Sequence, residues 1–227
     1  MKKINLSITG CLGRMGLELI KSSKKNKLFK IESITEYKLI KKKILGINPQ
    51  LNSDIAFKNT DIIIDFTIPK CTLEVLSITK KQEALIKLYS KQVPILKAGN
   101  MSLGVNLLMY LTEIASKSLD EKYLSKIFEV HHKYKKDHPS GTALMLGKGI
   151  ADGKNKNLIN LIGKKFLNKK NFPYGKKINF NSLRKGEIVG EHEVKFSNGK
   201  EIITLNHEAF ARSLYSDGAL KAAKWLV

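Results

Sequence analysis

A glycine-studded turn between an apolar strand and a helix leaves the front of this chain very few folds to adopt. Lys3 to Thr9 alternates in the manner of a strand, and Gly10-Cys11-Leu12-Gly13-Arg14-Met15-Gly16 follows at once. From Met15 to about Lys24 the apolar Leu17, Leu19 and Ile20 keep helical spacing, and lysines close the segment. Phe29 to Glu36 reads as a second strand. Strand, turn, helix and strand make a βαβ unit, which implies a parallel α/β layer. Glycines permit the tight turn and let the backbone approach a pyrophosphate, which the first amides of the helix then bind. Arg14 adds a cation, and Glu36, twenty residues after Gly16, can accept from a ribose hydroxyl. Glycine turns also occur without a ligand; the order strand, turn, helix, strand, acid is what points to a dinucleotide. Tyr37 offers no guanidinium for a 2′-phosphate, so NADH is favoured over NADPH, with Lys38 leaving dual use open.

With 227 residues, the chain has room for one large domain or two small ones. Residues 38–60 are lysine-rich and read as loop, Asp61 to Ile68 as a buried strand closed by Pro69, Thr72 to Lys91 as helical, and Val93 to Ala98 as a short strand. From Ser102 the texture changes. Ser102 to Ser118 is an amphipathic helix, Ile127 to His131 a strand, and Ser140 caps a helix over Thr142 to Ala151. Lys177 to Asn206 holds two or three strands, with a hairpin turn at Ser197-Asn198-Gly199. Ser216 or Asp217 can cap a last helix. The expected architecture is α/β: a Rossmann-like dinucleotide-binding domain over 1–101, then an α+β domain with a mixed sheet over 102–213. The closing helix 214–227 is expected to pack back on the first domain.

The densest chemistry lies in Glu129-Val130-His131-His132-Lys133-Tyr134-Lys135-Lys136-Asp137-His138-Pro139-Ser140-Gly141-Thr142. In a continuing strand His131 and Lys135 share one face and His132 takes the other. A histidine moves protons near neutral pH, and a lysine among cations can act as an acid. Ser140, Gly141 and Thr142 offer amides and a hydroxyl to a carboxylate. The group suits a small dianionic acid that must be protonated. A solvated basic strand end before an ordinary cap is the plainer reading of each residue taken alone. Metal binding is not expected, because adjacent histidines point apart and no carboxylate or cysteine completes a set. His192 and His207 read as structural.

Forty-one basic against twenty acidic residues leave a net charge of +21, which raises nucleic acid or a membrane surface as partners. Only three of the basic residues are arginine, the residue that reads bases, and the lysines are spread along the chain, so neither partner is expected. No apolar run approaches the roughly 18 residues of a membrane helix. Two cysteines, Cys11 and Cys71, give no disulfide framework, and the cytoplasm is the simplest compartment.

Taken together, the segments GCLGRMG (10–16), IIIDFTIP (62–69), AGNMSLGVNLL (98–108), EVHHKYKKDHPSGTAL (129–144), LRKGEIVGEHEV (183–194) and NHEAFAR (206–212) resemble the dihydrodipicolinate reductase family. They keep the family's order and span most of the chain. The resemblance implies NADH- or NADPH-dependent reduction of a cyclic unsaturated dicarboxylate in lysine and diaminopimelate biosynthesis, by a homotetramer. It implies proton donation by His131 and Lys135, and substrate carboxylates held by His132, Gly141 and Thr142. It places cofactor contacts at Gly10, Cys11, Leu12, Gly13, Arg14, Met15 and Glu36, and at Ala98, Gly99, Asn100 and Met101, where Met101 replaces a usual aromatic. The family's Gly-Thr-Thr-Gly turn, between the helix after Thr67 and the strand before Ala98, has no counterpart here, and the chain stops at Val227 where the family carries a short tail. The alternative expectation is therefore a catalytically impaired relative that keeps only the dicarboxylate site.

Overall fold

The computed structural model describes residues 2–79, 94–162 and 177–227. The first stretch contains β1 (Ile4–Thr9), α1 (Arg14–Lys25), β2 (Phe29–Glu36), β3 (Gln50–Leu51), α2 (Asp54–Phe57), β4 (Ile62–Asp65) and α3 (Pro69–Thr79). The second contains α4 (Leu103–Ser118), β5 (Leu124–His131), α5 (Gly141–Gly153) and α6 (Leu158–Ile162). The third contains β6 (Ile178–Arg184), β7 (Gly190–Ser197), β8 (Ile202–Ala209) and α7 (Ser213–Leu226). The chain divides into two compact units, Met1–Ala98 with Arg212–Val227, and Gly99–Ala211.

In the first unit the strands run parallel in the order β3-β2-β1-β4. Leu6 and Ile8 of β1, Ile34 of β2 and Leu19 and Ile20 of α1 are fully buried, each contributing about 2 kcal/mol of apolar burial. The hydroxyl of Thr9 donates to Asp65 at 2.6 Å, tying the end of β1 to the end of β4. Helix α7 packs on α1 through the buried Ala219, Leu220 and Ala223. It begins at Ser213, earlier than the expected caps at Ser216 and Asp217. The reason is that the Ser216 hydroxyl is engaged elsewhere, donating to the Ser213 carbonyl and bonding the Ser22 hydroxyl of α1 at 2.8 Å.

Two further differences fall in this unit. The lysine-rich stretch expected to be loop contains β3, paired with Thr35 and Glu36, and α2, capped by the Ser53 hydroxyl accepting from the Ala56 amide. Residues 94–98 form no strand, and the rest of the expected segment, with the helical reading beyond Thr79, lies outside the described residues.

The second unit is a mixed sheet in the order β6-β5-β7-β8, with β5 and β6 parallel and the other pairs antiparallel. Period-two alternation puts Ile127, Phe180, Val194 and Phe196 on one face, where Leu108 of α4 and Leu146 and Ile150 of α5 complete the core. Helix α5 crosses α4 closely. A Cβ on Gly153 would lie 2.5 Å from the Glu113 carbonyl, and the Ser116 hydroxyl donates to the Ile150 carbonyl. At the other end of α5 the Ser140 amide, bonded to Glu129, holds the helix N-terminus beside the end of β5.

Candidate active site

The glycine turn of the first unit is shaped by contacts that no side chain would survive. Gly10 has φ +66°, and a Cβ there would meet the Thr67 methyl at 2.6 Å. A Cβ on Gly16 would lie 2.1 Å from the Gly10 carbonyl oxygen. Helix α1 is capped by Gly13 with no side-chain bond, so the cap itself blocks nothing that approaches its first turn. Glu36, at the end of β2, is buried beside the turn and accepts from the Leu12 amide at 3.3 Å and the Tyr37 amide at 3.2 Å. Cys11 donates its amide to Thr35, and its side chain is in the core. Burial, with the Glu36 charge behind it, pushes the Cys11 thiol up to about 11, so it stays protonated at neutral pH. Leu12, Gly13 and Arg14 are exposed around the turn and Met15 is half-buried.

In the second unit the alternation that buries Ile127 continues through Glu129 to His131, so a carboxylate and an imidazole extend the core face. The strand register sets Glu129 opposite Ser182 of β6 and His192 of β7, and His131 opposite Arg184. Glu129 is 1% exposed. Its Oε1 accepts from the Arg184 guanidinium and the Ser140 amide, both at 2.9 Å. Its Oε2 lies 3.3 Å from His131 Nδ1 and 3.8 Å from His192 Nε2.

Beyond His131 the chain turns instead of continuing as a strand. The Lys133 amide donates to Gly186 and the Lys135 amide to His132. Lys135 therefore does not share a strand face with His131, as the sequence reading expected. Its ammonium pairs with Asp137 at 2.8 Å. His132 is buried at the start of the turn. The hydroxyl of Ser140 caps α5 by accepting from the Ala143 amide. A Cβ on Gly141 would meet nothing within 4 Å, which leaves open space over the helix N-terminus. Asn100 donates from Nδ2 to the Thr142 hydroxyl oxygen at 3.1 Å, which leaves that hydroxyl its own hydrogen to donate. The Asn100 loop is held in turn by the Ser102 amide and the Asn106 side chain. Gly99 packs against Met145, whose sulfur a Cβ there would meet at 2.5 Å.

Burial sets the protonation of this cluster. It pushes His131 down to about 3 and His192 to about 4; Glu129 pulls both upward, and Arg184 and Lys135 oppose that pull. Burial works against the charge of Glu129 too, but bonds from Ser140, Ser182 and Arg184 outweigh it and hold the carboxyl below its ordinary range. The ligand-free cluster is thus a carboxylate with two neutral imidazoles and a guanidinium.

The sequence reading named His131, His132, Lys135, Gly141 and Thr142; all five lie in the second unit, where the Ser140 amide bonded to Glu129 ties the start of α5 to the strand that carries His131. It missed Glu129 and Arg184 as partners and took His192 as merely structural. Glu129, His131 and His192 place three ligand-type atoms within 4.8 Å of one another, a grouping that comparison of neighbouring histidines alone did not foresee. Arg184 already supplies the cation on that carboxylate. The cofactor-type residues Gly10 to Met15 and Glu36 surround the glycine turn, whereas Gly99, Asn100 and Met101 belong to the second unit.

A parallel βαβ layer with a glycine turn and an acid-ended second strand, joined in sequence to a mixed-sheet unit with a buried carboxylate–imidazole cluster, defines a nucleotide-dependent α/β oxidoreductase. A model described as dihydrodipicolinate reductase, N-terminus, matches residues 4–83, and one described as dihydrodipicolinate reductase, C-terminus, matches residues 104–227. The chain belongs to the dihydrodipicolinate reductase family.

The 4-hydroxy-tetrahydrodipicolinate reductase of Pelagibacter ubique is 72% identical, over 100% of this chain and 94% of that protein. Its counterpart in Bartonella tribocorum is 35% identical, over 98% of this chain and 92% of that protein. These alignments span 242 and 253 positions against the 227 residues here, so both relatives carry residues within the matched span that this chain lacks. A dipicolinate-bound dihydrodipicolinate reductase from a Paenisporosarcina species has the same fold, with a TM-score of 0.76 over 99% of this chain and 95% of that one at 18% identity.

Proposed function

We propose that the protein reduces 4-hydroxy-tetrahydrodipicolinate to tetrahydrodipicolinate with NADH or NADPH, in lysine and diaminopimelate biosynthesis. The observation that supports this reading is Glu129, which takes the Ser140 amide at the open N-terminus of α5 on one oxygen and faces His131 with the other. Replacing the ring hydroxyl by hydrogen consumes a hydride and a proton and releases water. The bound nicotinamide supplies the hydride. His131 and Lys135 supply the proton, and His132, the Gly141 amide and the Thr142 hydroxyl hold the two carboxylates. Gly10, Cys11, Leu12, Gly13, Arg14 and Met15 would hold the cofactor's pyrophosphate and Glu36 its adenosine ribose, while Ala98, Gly99, Asn100 and Met101 would serve its nicotinamide end. The protein works as a homotetramer in the cytoplasm. Its two free cysteines fit a reducing compartment, and helices α4 and α5 pack on the sheet face opposite to the one bearing Phe128, Lys195 and Thr204.

Loss of NADH absorbance on adding enzymatically generated substrate tests the activity. The methyl of Gly141→Ala has room in the fold, yet it would intrude on a carboxylate bound at the helix N-terminus. It is expected to raise KM at least tenfold at unchanged melting temperature. No loss of NADH on adding substrate, together with tight pyridine-2,6-dicarboxylate binding, would instead identify the impaired relative.

The buried carboxylate of Glu36 repels a 2′-phosphate, so the KM for NADH is expected to lie below that for NADPH. Glu36→Ser is expected to narrow the gap about tenfold or more, a difference of about 1.4 kcal/mol. Equal constants in the unmodified protein would remove Glu36 from this role.

A further inference from the structure

Two buried polar atoms meet at the end of β5, with His192 Nε2 somewhat farther off at 3.8 Å from the carboxylate oxygen. Glu129 Oε2 and His131 Nδ1 are both shielded from solvent, neither makes another hydrogen bond among the described residues, and they face one another at 3.3 Å. The carboxylate cannot turn away, because Arg184 and the Ser140 amide hold its other oxygen. We infer that Glu129 is a positioning residue that selects the tautomer of His131, holding Nδ1–H and leaving Nε2 as the nitrogen that exchanges a proton with substrate. The inference rests on the proton-donor reading of His131 and adds to it the choice of atom and the group that makes the choice.

An ionised carboxylate has no hydrogen to give, so the ring nitrogen that faces it must carry one. The opposite tautomer would press a lone pair against an anion in a dry site. Among the described residues, the other neighbours of His131 do not decide the matter. Arg184 of β6 and Lys135 of the turn are cations and cannot accept, and His192 of β7 meets the His131 ring edge to face at 5.0 Å. Gly190 supplies an independent pointer to Nε2. A Cβ there would lie 3.2 Å from that nitrogen, so glycine keeps its surroundings open. The same carboxylate receives the Ser140 amide at the head of α5. One side chain thereby sets both the proton-bearing ring and the helix end that takes the substrate carboxylate. A metal ion on this carboxylate and the two imidazoles would have to share it with the Arg184 guanidinium, a like charge, which is why the proton reading is preferred.

Glu129→Gln keeps the shape and removes the charge. Loss of the carboxylate destabilises the His131 imidazolium, so the alkaline limb of the kcat–pH profile is expected to move toward acid by about one unit or more. kcat at pH 7.5 is expected to fall at least tenfold with KM changed less than threefold. Glu129→Asp retains the charge and should keep the limb in place. A Glu129→Gln limb that stays at its wild-type position overturns the proposal, since a merely structural role lowers activity without moving a pKa.

The unmodified protein gives a second reading that does not depend on the variant folding. Ring 15N spectra of histidine-labelled protein, with His131 assigned by comparison with His131→Gln, should show a protonated Nδ1 and a bare Nε2. The reverse tautomer overturns the inference. If His131→Gln keeps full turnover, the proton-donor reading falls first. If it is inactive while Glu129→Gln is unshifted, only this inference fails.

Discussion

His131→Gln is expected to lower kcat by about a hundredfold to ten-thousandfold while changing affinity for pyridine-2,6-dicarboxylate at pH 8 less than about threefold. The imidazole sits at the rim of the core, 7% exposed, and burial holds it neutral. A neutral imidazole is a poor acid. The charged form has to be made when a doubly negative ring arrives, because two carboxylates favour the imidazolium that burial disfavours. Dicarboxylate binding to the unmodified protein should therefore tighten as pH falls from 8 to 6, and this dependence should vanish in His131→Gln. Lys135→Ala is expected to cost a similar factor in kcat without removing that dependence, since its ammonium is paired with Asp137 and lies outside the buried cluster. Calorimetry across pH and steady-state kinetics measure both effects. Wild-type turnover in the two variants would end the proton-donor assignment.

How much of this was legible without coordinates depends on distance along the chain. The βαβ front was readable because its signals are local: an alternating strand, glycines where φ is positive or backbones touch, and an acid at the end of the next strand. The cap of α5 at Ser140 was readable for the same reason. Glu129 was within reach, since period two places it on the face of His131. Arg184 and His192 were not. Their place beside Glu129 depends on β6 running parallel to β5 and β7 antiparallel to it in one register, which no local pattern encodes. Lys135 was misplaced on a continuing strand, because the bonds that turn the chain after His131 come partly from the distant Gly186. The start of α7 was misjudged because Ser216, a good cap by type, is committed to Ser22.

The same burial that keeps His131 and His192 neutral should make the protein sensitive to mild acid. Their folded values are about 3 and about 4, against 6.5 for the unfolded chain. Above pH 6.5 both states hold these rings neutral, and the full stability is present. As pH falls below 6.5 the unfolded chain takes up protons that the folded cluster refuses, so stability is lost progressively until the folded values are reached. Each ring contributes up to about 1.4 kcal/mol per pH unit, so the two together cost on the order of 5 kcal/mol between pH 6 and pH 4. That is comparable with the whole stability of an ordinary domain. Glu129 adds to the loss below its unfolded range, because its folded carboxyl is held low by Ser140, Ser182 and Arg184 against burial. Urea titrations at fixed protein concentration should show the decline setting in below pH 6.5, far above the range of ordinary carboxylates. His131→Gln should flatten it by about half, because it deletes one of the two refusing rings. A stability curve level from pH 6.5 to 4, or one equally steep without His131, would mean that these imidazoles take up their protons in the folded state. A saturating dicarboxylate should protect against acid more than against urea at pH 8, since it favours the charged form of the ring it meets.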